Sequence, residues 1–147
     1  MRFLLPTVTG ALLLLAPAAL ASGVVLTVAS PEAQWQGAYF VLAATPEGMA
    51  CIRLACDPFA FTVALDPDMP PPYPPLVASI AWASSEDDFD LYLYDGWDFL
   101  ITSSTGRISR AETLVVDEIK PGDYTLVVAP TLVTDSAYAG SVGLVVE

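Results

Sequence analysis

Between Asp87 and Gly96 the chain reads Asp-Asp-Phe-Asp-Leu-Tyr-Leu-Tyr-Asp-Gly, which joins its densest acid cluster to its clearest two-residue alternation. Side chains of an extended chain point alternately to opposite faces. Phe89, Leu91 and Leu93 therefore share one face, and Asp90, Tyr92 and Tyr94 share the other. The stretch predicts a β-strand with the first face turned to a core and the second to solvent, ending in a turn at Asp95-Gly96.

The same period recurs along the chain. Phe59, Phe61, Val63 and Leu65 alternate with Ala60, Thr62 and Ala64, while Leu76, Ile80 and Trp82 resume the pattern, which places Trp82 in a core. Shorter strands are expected over 24–29 and 38–43, separated by the polar segment from Ser30 to Gln34. Prolines from Pro70 to Pro75 cannot donate to a ladder and predict an extended surface connector. Further on, 97–102 reads as a hairpin return and 112–117 as another strand. Pro121-Gly122 presets a tight turn, Tyr124, Leu126 and Val128 alternate with Thr125 and Val127, and 138–147 closes the chain. Eight or nine short strands with turns between them and no intervening helix predict an antiparallel β-sandwich.

The first 21 residues have a different character. Arg2 precedes an apolar run from Leu4 to Leu15, and Ala19-Leu20-Ala21 follows as a small-residue cleavage motif. Pro6 and Pro17 interrupt the run, which falls short of the ~20 apolar residues a membrane span needs. A signal peptide cleaved after Ala21 is expected, leaving 22–147 as one exported domain without a membrane span, in the medium or on the exterior of the cell envelope. All 17 acids lie beyond the cleavage point, against Arg53, Arg107, Arg110 and Lys120, a formal net charge of −13. Such a chain repels phosphate backbones and anionic lipid, which argues against nucleic acid as partner. Cys51 and Cys56 are an even pair in an oxidising compartment, and a disulfide closing this short loop stabilises by roughly 2 kcal/mol.

Histidine is absent. That removes the commonest general base, the Ser-His-Asp and Cys-His arrangements, and every histidine-based zinc site. Carboxylate pairs among Asp87, Asp88, Asp90, Asp95 and Asp98 are what a glycosidase-type hydrolase would have to use, and nothing fixes their separation. With no Gly-rich phosphate loop and no GxSxG elbow, a non-catalytic binding module is the preferred reading. Aromatic side chains are the usual contact residues of such modules, and Tyr92, Tyr94 and Trp97 are the candidates for a protein or polysaccharide ligand, with packing on a neighbouring strand the alternative for the two tyrosines.

Three segments carry a family resemblance: Asp57-Pro58-Phe59-Ala60-Phe61-Thr62-Val63, Asp87-Asp88-Phe89-Asp90-Leu91-Tyr92-Leu93-Tyr94 and Pro121-Gly122-Asp123-Tyr124-Thr125-Leu126-Val127-Val128. Over 57–146 the chain resembles the bacterial pre-peptidase C-terminal domain family, which is related to the collagen-binding modules of clostridial collagenases. The resemblance implies a jelly-roll-like sandwich that is not itself a protease but assists secreted peptidases in secretion, stability or substrate binding. It also implies a calcium candidate, since some relatives bind the ion through an acid that aligns with Asp57. Leu54 stands where a partner acid is expected, and Glu32 and Glu47 are the acids available from the N-terminal segment. A second calcium candidate is the cluster of Glu86, Asp87, Asp88 and Asp90, for which solvated strand-end acids are the alternative. A calcium-stabilised structural or adhesion protein of the envelope is accordingly the second functional expectation.

Overall fold

A computed structural model of the chain describes residues 23–45, 55–107 and 109–146. The expected signal peptide and the expected Cys51–Cys56 bridge lie outside these residues, the latter because Cys51 does. The described residues form eight strands and no helix: β1 (Val24–Leu26), β2 (Glu32–Ala43), β3 (Asp57–Val63), β4 (Leu76–Trp82), β5 (Asp88–Asp95), β6 (Leu100–Ser104), β7 (Ala111–Val116) and β8 (Gly122–Leu144). They pair as two layers that share β8. The first has the order β1-β3-β8-β5-β6 and the second β2-β8-β4-β7.

All pairings are antiparallel except β1 with β3, so the sheet is mixed where the sequence predicts an antiparallel one. The cause is the excursion between them: β2 is laid in the other layer, and the chain comes back to β3 in the direction of β1. A parallel pair needs a crossover of a dozen or more residues, and 27–56 supplies it.

Two further departures concern strand bounds. The 124–128 and 138–147 runs are parts of one 23-residue strand, β8. Its N-terminal part pairs with β3 and β5 and its C-terminal part with β2 and β4, and Pro130 stands near the changeover. Proline is tolerated there because the register against β5 shifts between Asp88 and Phe89, while the Pro130 carbonyl accepts the Thr45 N–H at 2.9 Å. β2 begins at Glu32, inside the segment read as a polar separator. Glu32, Gln34 and Gln36 are its exposed face and Ala33 and Trp35 its half-buried one. Where a tight turn is expected at 121–122 the chain bends at Pro121 and Gly122 already opens β8, at φ 155°, a value open to glycine.

The core lies between the layers. Phe61 and Val63 of β3, Leu76, Ala78, Ile80 and Trp82 of β4, Leu91 and Leu93 of β5 and Leu126 and Val128 of β8 are all buried, as the alternation predicts. Phe89 is fully buried among three rings, with centroids 5.2 Å from Trp82, 5.6 Å from Tyr138 and 5.8 Å from Phe40. Each such aromatic or aliphatic side chain stabilises the fold by about 1.5–3 kcal/mol on burial.

β5 departs from its predicted amphipathic pattern. Asp90 is 2% exposed and Tyr92 7%, so its second face is covered along most of its length. β5 is an interior strand between β8 and β6, and the Tyr92 hydroxyl donates to Asp90 Oδ2 at 3.1 Å, two residues back on the same face. A buried carboxylate is tolerated when it accepts hydrogen bonds in this way.

Two buried tyrosines set a pH limit. Burial raises the Tyr138 hydroxyl well above its ordinary value of 10; the Trp35 N–H donated to it opposes this, and its bond to Asp57 adds to it. Burial and then the charge of Asp95 raise Tyr124 likewise. Above pH 10 the unfolded chain ionises these groups while the folded chain keeps their protons, so stability falls as pH rises. Alkaline titration followed at 295 nm should show part of the tyrosinate absorbance arriving together with loss of the far-ultraviolet dichroism. Complete titration of all tyrosines before any unfolding would contradict the burial of Tyr138.

Candidate functional site

Of the acids considered for calcium, Asp57 stands apart from Asp87, Asp88 and Asp90, and Asp57, Asp87 and Asp90 hold the fold together. Asp57, the first residue of β3, accepts the Ala38 N–H at 2.6 Å and the Tyr138 hydroxyl at 2.7 Å through Oδ2, joining β3 to both partners of the opposite layer. Asp87 Oδ1 accepts the Thr134 N–H at 2.9 Å, and its carbonyl accepts the Trp82 indole N–H at 2.8 Å. Asp90 receives Tyr92, and Asp88 is half-buried at the start of β5. Strand β8 separates β3 from β5, so Asp57 stands about 10 Å, two strand spacings, from the strand that carries Asp88 and Asp90. Calcium takes six to eight oxygens at 2.3–2.6 Å. Among the described residues no three His, Cys, Asp or Glu side chains converge to hold a metal ion.

The three aromatic candidates do not share a platform. Tyr92 is buried, Tyr94 half-buried, and Trp97, in the turn after β5, is 84% exposed. Trp97 instead has apolar neighbours along the chain: Phe99, 70% exposed, and then Leu100 and Ile101, both exposed on β6. The return strand begins at Leu100 and not at Trp97, because 95–99 is consumed by the turn. Asp95 Oδ1 accepts the N–H groups of Trp97 and Phe99, each at 2.9 Å, and Asp98 takes φ 62°, a left-handed conformation that Asp adopts more readily than most residues. A single carboxylate thus fixes the backbone from which both rings project.

The far end of β6 is fixed as well. Glu112 of β7 is buried and accepts from the Ser104 hydroxyl and, at 2.9 Å, from the Gly106 N–H. Within the sheet β6 pairs only with β5 among the described residues, so it is an edge strand, with β7 of the other layer beside its far end.

Beside the turn is an open cleft of about 250 Å³, lined by Asp95, Asp98 and Asp123 together with Thr62, Tyr124 and Thr125. Asp123 Oδ1 accepts the Thr62 hydroxyl at 2.7 Å, and the Tyr124 hydroxyl donates to the Lys120 carbonyl at 2.8 Å. Sequence reasoning found Trp97 and missed Phe99, Leu100, Ile101 and Asp123. A signal was present for the first three. Apolar side chains on consecutive residues after a turn cannot all face one core.

No family model matches the chain, and no curated protein does. Among solved structures, that of PliG from Aeromonas hydrophila, a periplasmic lysozyme inhibitor of g-type lysozyme, aligns with a TM-score of 0.43 and 10% identity over 84% of this chain and 100% of that one. A likeness of this size assigns neither fold nor activity, so the function is argued from the residues. No helix among the described residues is long and apolar enough to cross a membrane.

Proposed function

We propose that this chain is an exported, non-catalytic β-sandwich whose β5–β6 hairpin binds an extracellular macromolecule. The observation that carries the reading is the set of consecutive apolar side chains displayed there: Trp97, Phe99, Leu100 and Ile101 are all exposed on one ordered hairpin. Large apolar side chains exposed together at one turn suit an interaction site, and tryptophan is among the residues most enriched in binding hot spots. Asp95 holds the turn, so the rings are presented without a large ordering cost on binding.

Two sequence observations support the same reading. The leader expected over 1–21 sends the domain out of the cell, and the motifs that resemble pre-peptidase C-terminal modules belong to domains that assist other proteins. Catalysis by paired carboxylates has less support, because Asp87 and Asp90 are buried acceptors for Thr134 and Tyr92.

Protein and glycan arrays probed with the 22–147 chain and with a Trp97→Ser/Phe99→Ser variant test the proposal. Ligands retained by the first should be lost by the second, with affinity falling by at least tenfold, as truncation of two central aromatic anchors gives. Equal retention of every ligand by both proteins would move the contact surface elsewhere.

A further inference from the structure

We propose that the partner of the hairpin is a basic protein, which places a lysine or arginine side chain in the cleft of Asp95, Asp98 and Asp123 while its apolar surface covers Trp97 and Phe99. The inference rests on the binding reading above and narrows the partner to one class by charge.

The cleft carries three carboxylates and no lysine or arginine among its lining residues, with Gly23 at its rim. Asp95 and Asp123 each use Oδ1 for hydrogen bonding within the fold, and among the described residues the Asp98 side chain makes none. Asp98 and Asp123 are exposed and Asp95 is half-buried, so acceptor oxygens remain open to a partner. A metal ion fits poorly, because the acids do not converge closely enough to hold one. A guanidinium or ammonium on a flexible stem suits spaced carboxylates better, since it presents several donors across a few ångströms. The neighbouring indole adds a second attraction, as a cation over a tryptophan face gains about 0.5–1 kcal/mol at an exposed site.

The rest of the molecule reinforces this choice. With 17 acidic and five basic residues in the sequence, a basic partner is steered toward the chain and an acidic one is repelled. A neutral polysaccharide would donate hydroxyls to the carboxylates but gain nothing from the net charge that steers a cation toward them.

The test uses the 22–147 chain and the peptide acetyl-(Lys-Arg)3-amide, with a Glu-for-Lys/Arg peptide as control, followed by amide shifts and by titration. Shifts should concentrate in 95–101 and 122–125, and affinity should fall at least tenfold in Asp98→Asn/Asp123→Asn. Asparagine tolerates the backbone of residue 98 and still accepts the Thr62 hydroxyl at 123, so the thermal midpoint of this variant should stay near that of the parent. Trp97→Ser should weaken the same peptide further.

Shifts spread over the acidic surface, or an affinity unchanged in the Asp variant, would overturn the proposal, as would absence of binding. The two readings fail separately. An array ligand lost with Trp97 and Phe99 but indifferent to Asp98 and Asp123 leaves the binding module standing and removes the basic partner.

Discussion

Replacing Phe89 by alanine is expected to destabilise the domain by roughly 3–5 kcal/mol, the range for truncating a fully buried aromatic side chain. Phe89 has no exposed surface, and its ring meets Phe40 of β2, Trp82 of β4 and Tyr138 of β8. All three belong to the second layer, whereas Phe89 belongs to the first, so its removal opens a cavity where the layers meet. Three rings wedged by strand pairing cannot collapse into that space without moving the ladders. Domains of this size are stable by about 5–15 kcal/mol, so the variant should lose a large part of the total. Urea unfolding will show it as a lower midpoint at unchanged slope. A change below about 1 kcal/mol would mean that the layers do not close on Phe89.

The second large effect comes from adding atoms. A Cβ on Gly140 would lie 2.2 Å from Trp35 Cζ2 and 2.3 Å from Cε2, far inside contact distance. Trp35 is paired opposite Gly140 in the β2–β8 ladder, and its ring lies flat over the glycine, stacked on Phe59 at 4.1 Å and 12°. Its indole N–H also reaches the Tyr138 hydroxyl at 3.4 Å. The ring has contacts on both sides and cannot swing clear. Gly140→Val should therefore cost about 3 kcal/mol, the upper part of the usual overpacking range, with loss of near-ultraviolet dichroism from Trp35. Trp35→Leu in the same chain should return part of the stability, since it removes the atoms that clash. A Gly140→Val protein as stable as the parent would contradict the stacking of Trp35. Gly37 has the same relation to Tyr138, 2.1 Å from Cε1, so two glycines admit two rings into the space between the layers.

Much of this architecture is legible in the sequence because alternation reports which residues share a face. Phe89, Leu91, Leu93 and Trp82 are core for that reason, and the chain turns at Gly96 and bends at Pro121. Alternation does not report whether the opposite face is also covered, and that is why Asp90 and Tyr92 read as solvent-facing. Nor does it join strands across a proline, so β8 reads as two. Carboxylates pose a related problem. Asp57, Asp87 and Asp90 have the composition of a calcium site, but what they do depends on donors distant in sequence, Ala38, Thr134 and Tyr138 among them. Of the candidate site, Trp97 was legible as a contact residue, and Asp95 and Asp98 only as candidate carboxylates. The acid that completes the cleft, Asp123, belongs to β8 and reaches the hairpin through sheet pairing that spacing does not reveal. Gly37 and Gly140 carry a weak signal, since glycine inside a strand marks a close approach.

The account rests on Trp97 and Phe99 being carried for a partner and not for the fold, and the thermal midpoint of Trp97→Ser/Phe99→Ser addresses that most directly. Exposed substitutions outside the core change stability by about 0.5 kcal/mol or less, which for a domain of this length is a shift of roughly 1–3 °C. A midpoint within that interval of the parent is the expected result. A fall comparable to that of Phe89→Ala would show that the two rings are buried parts of the core, and the hairpin would cease to be a binding surface.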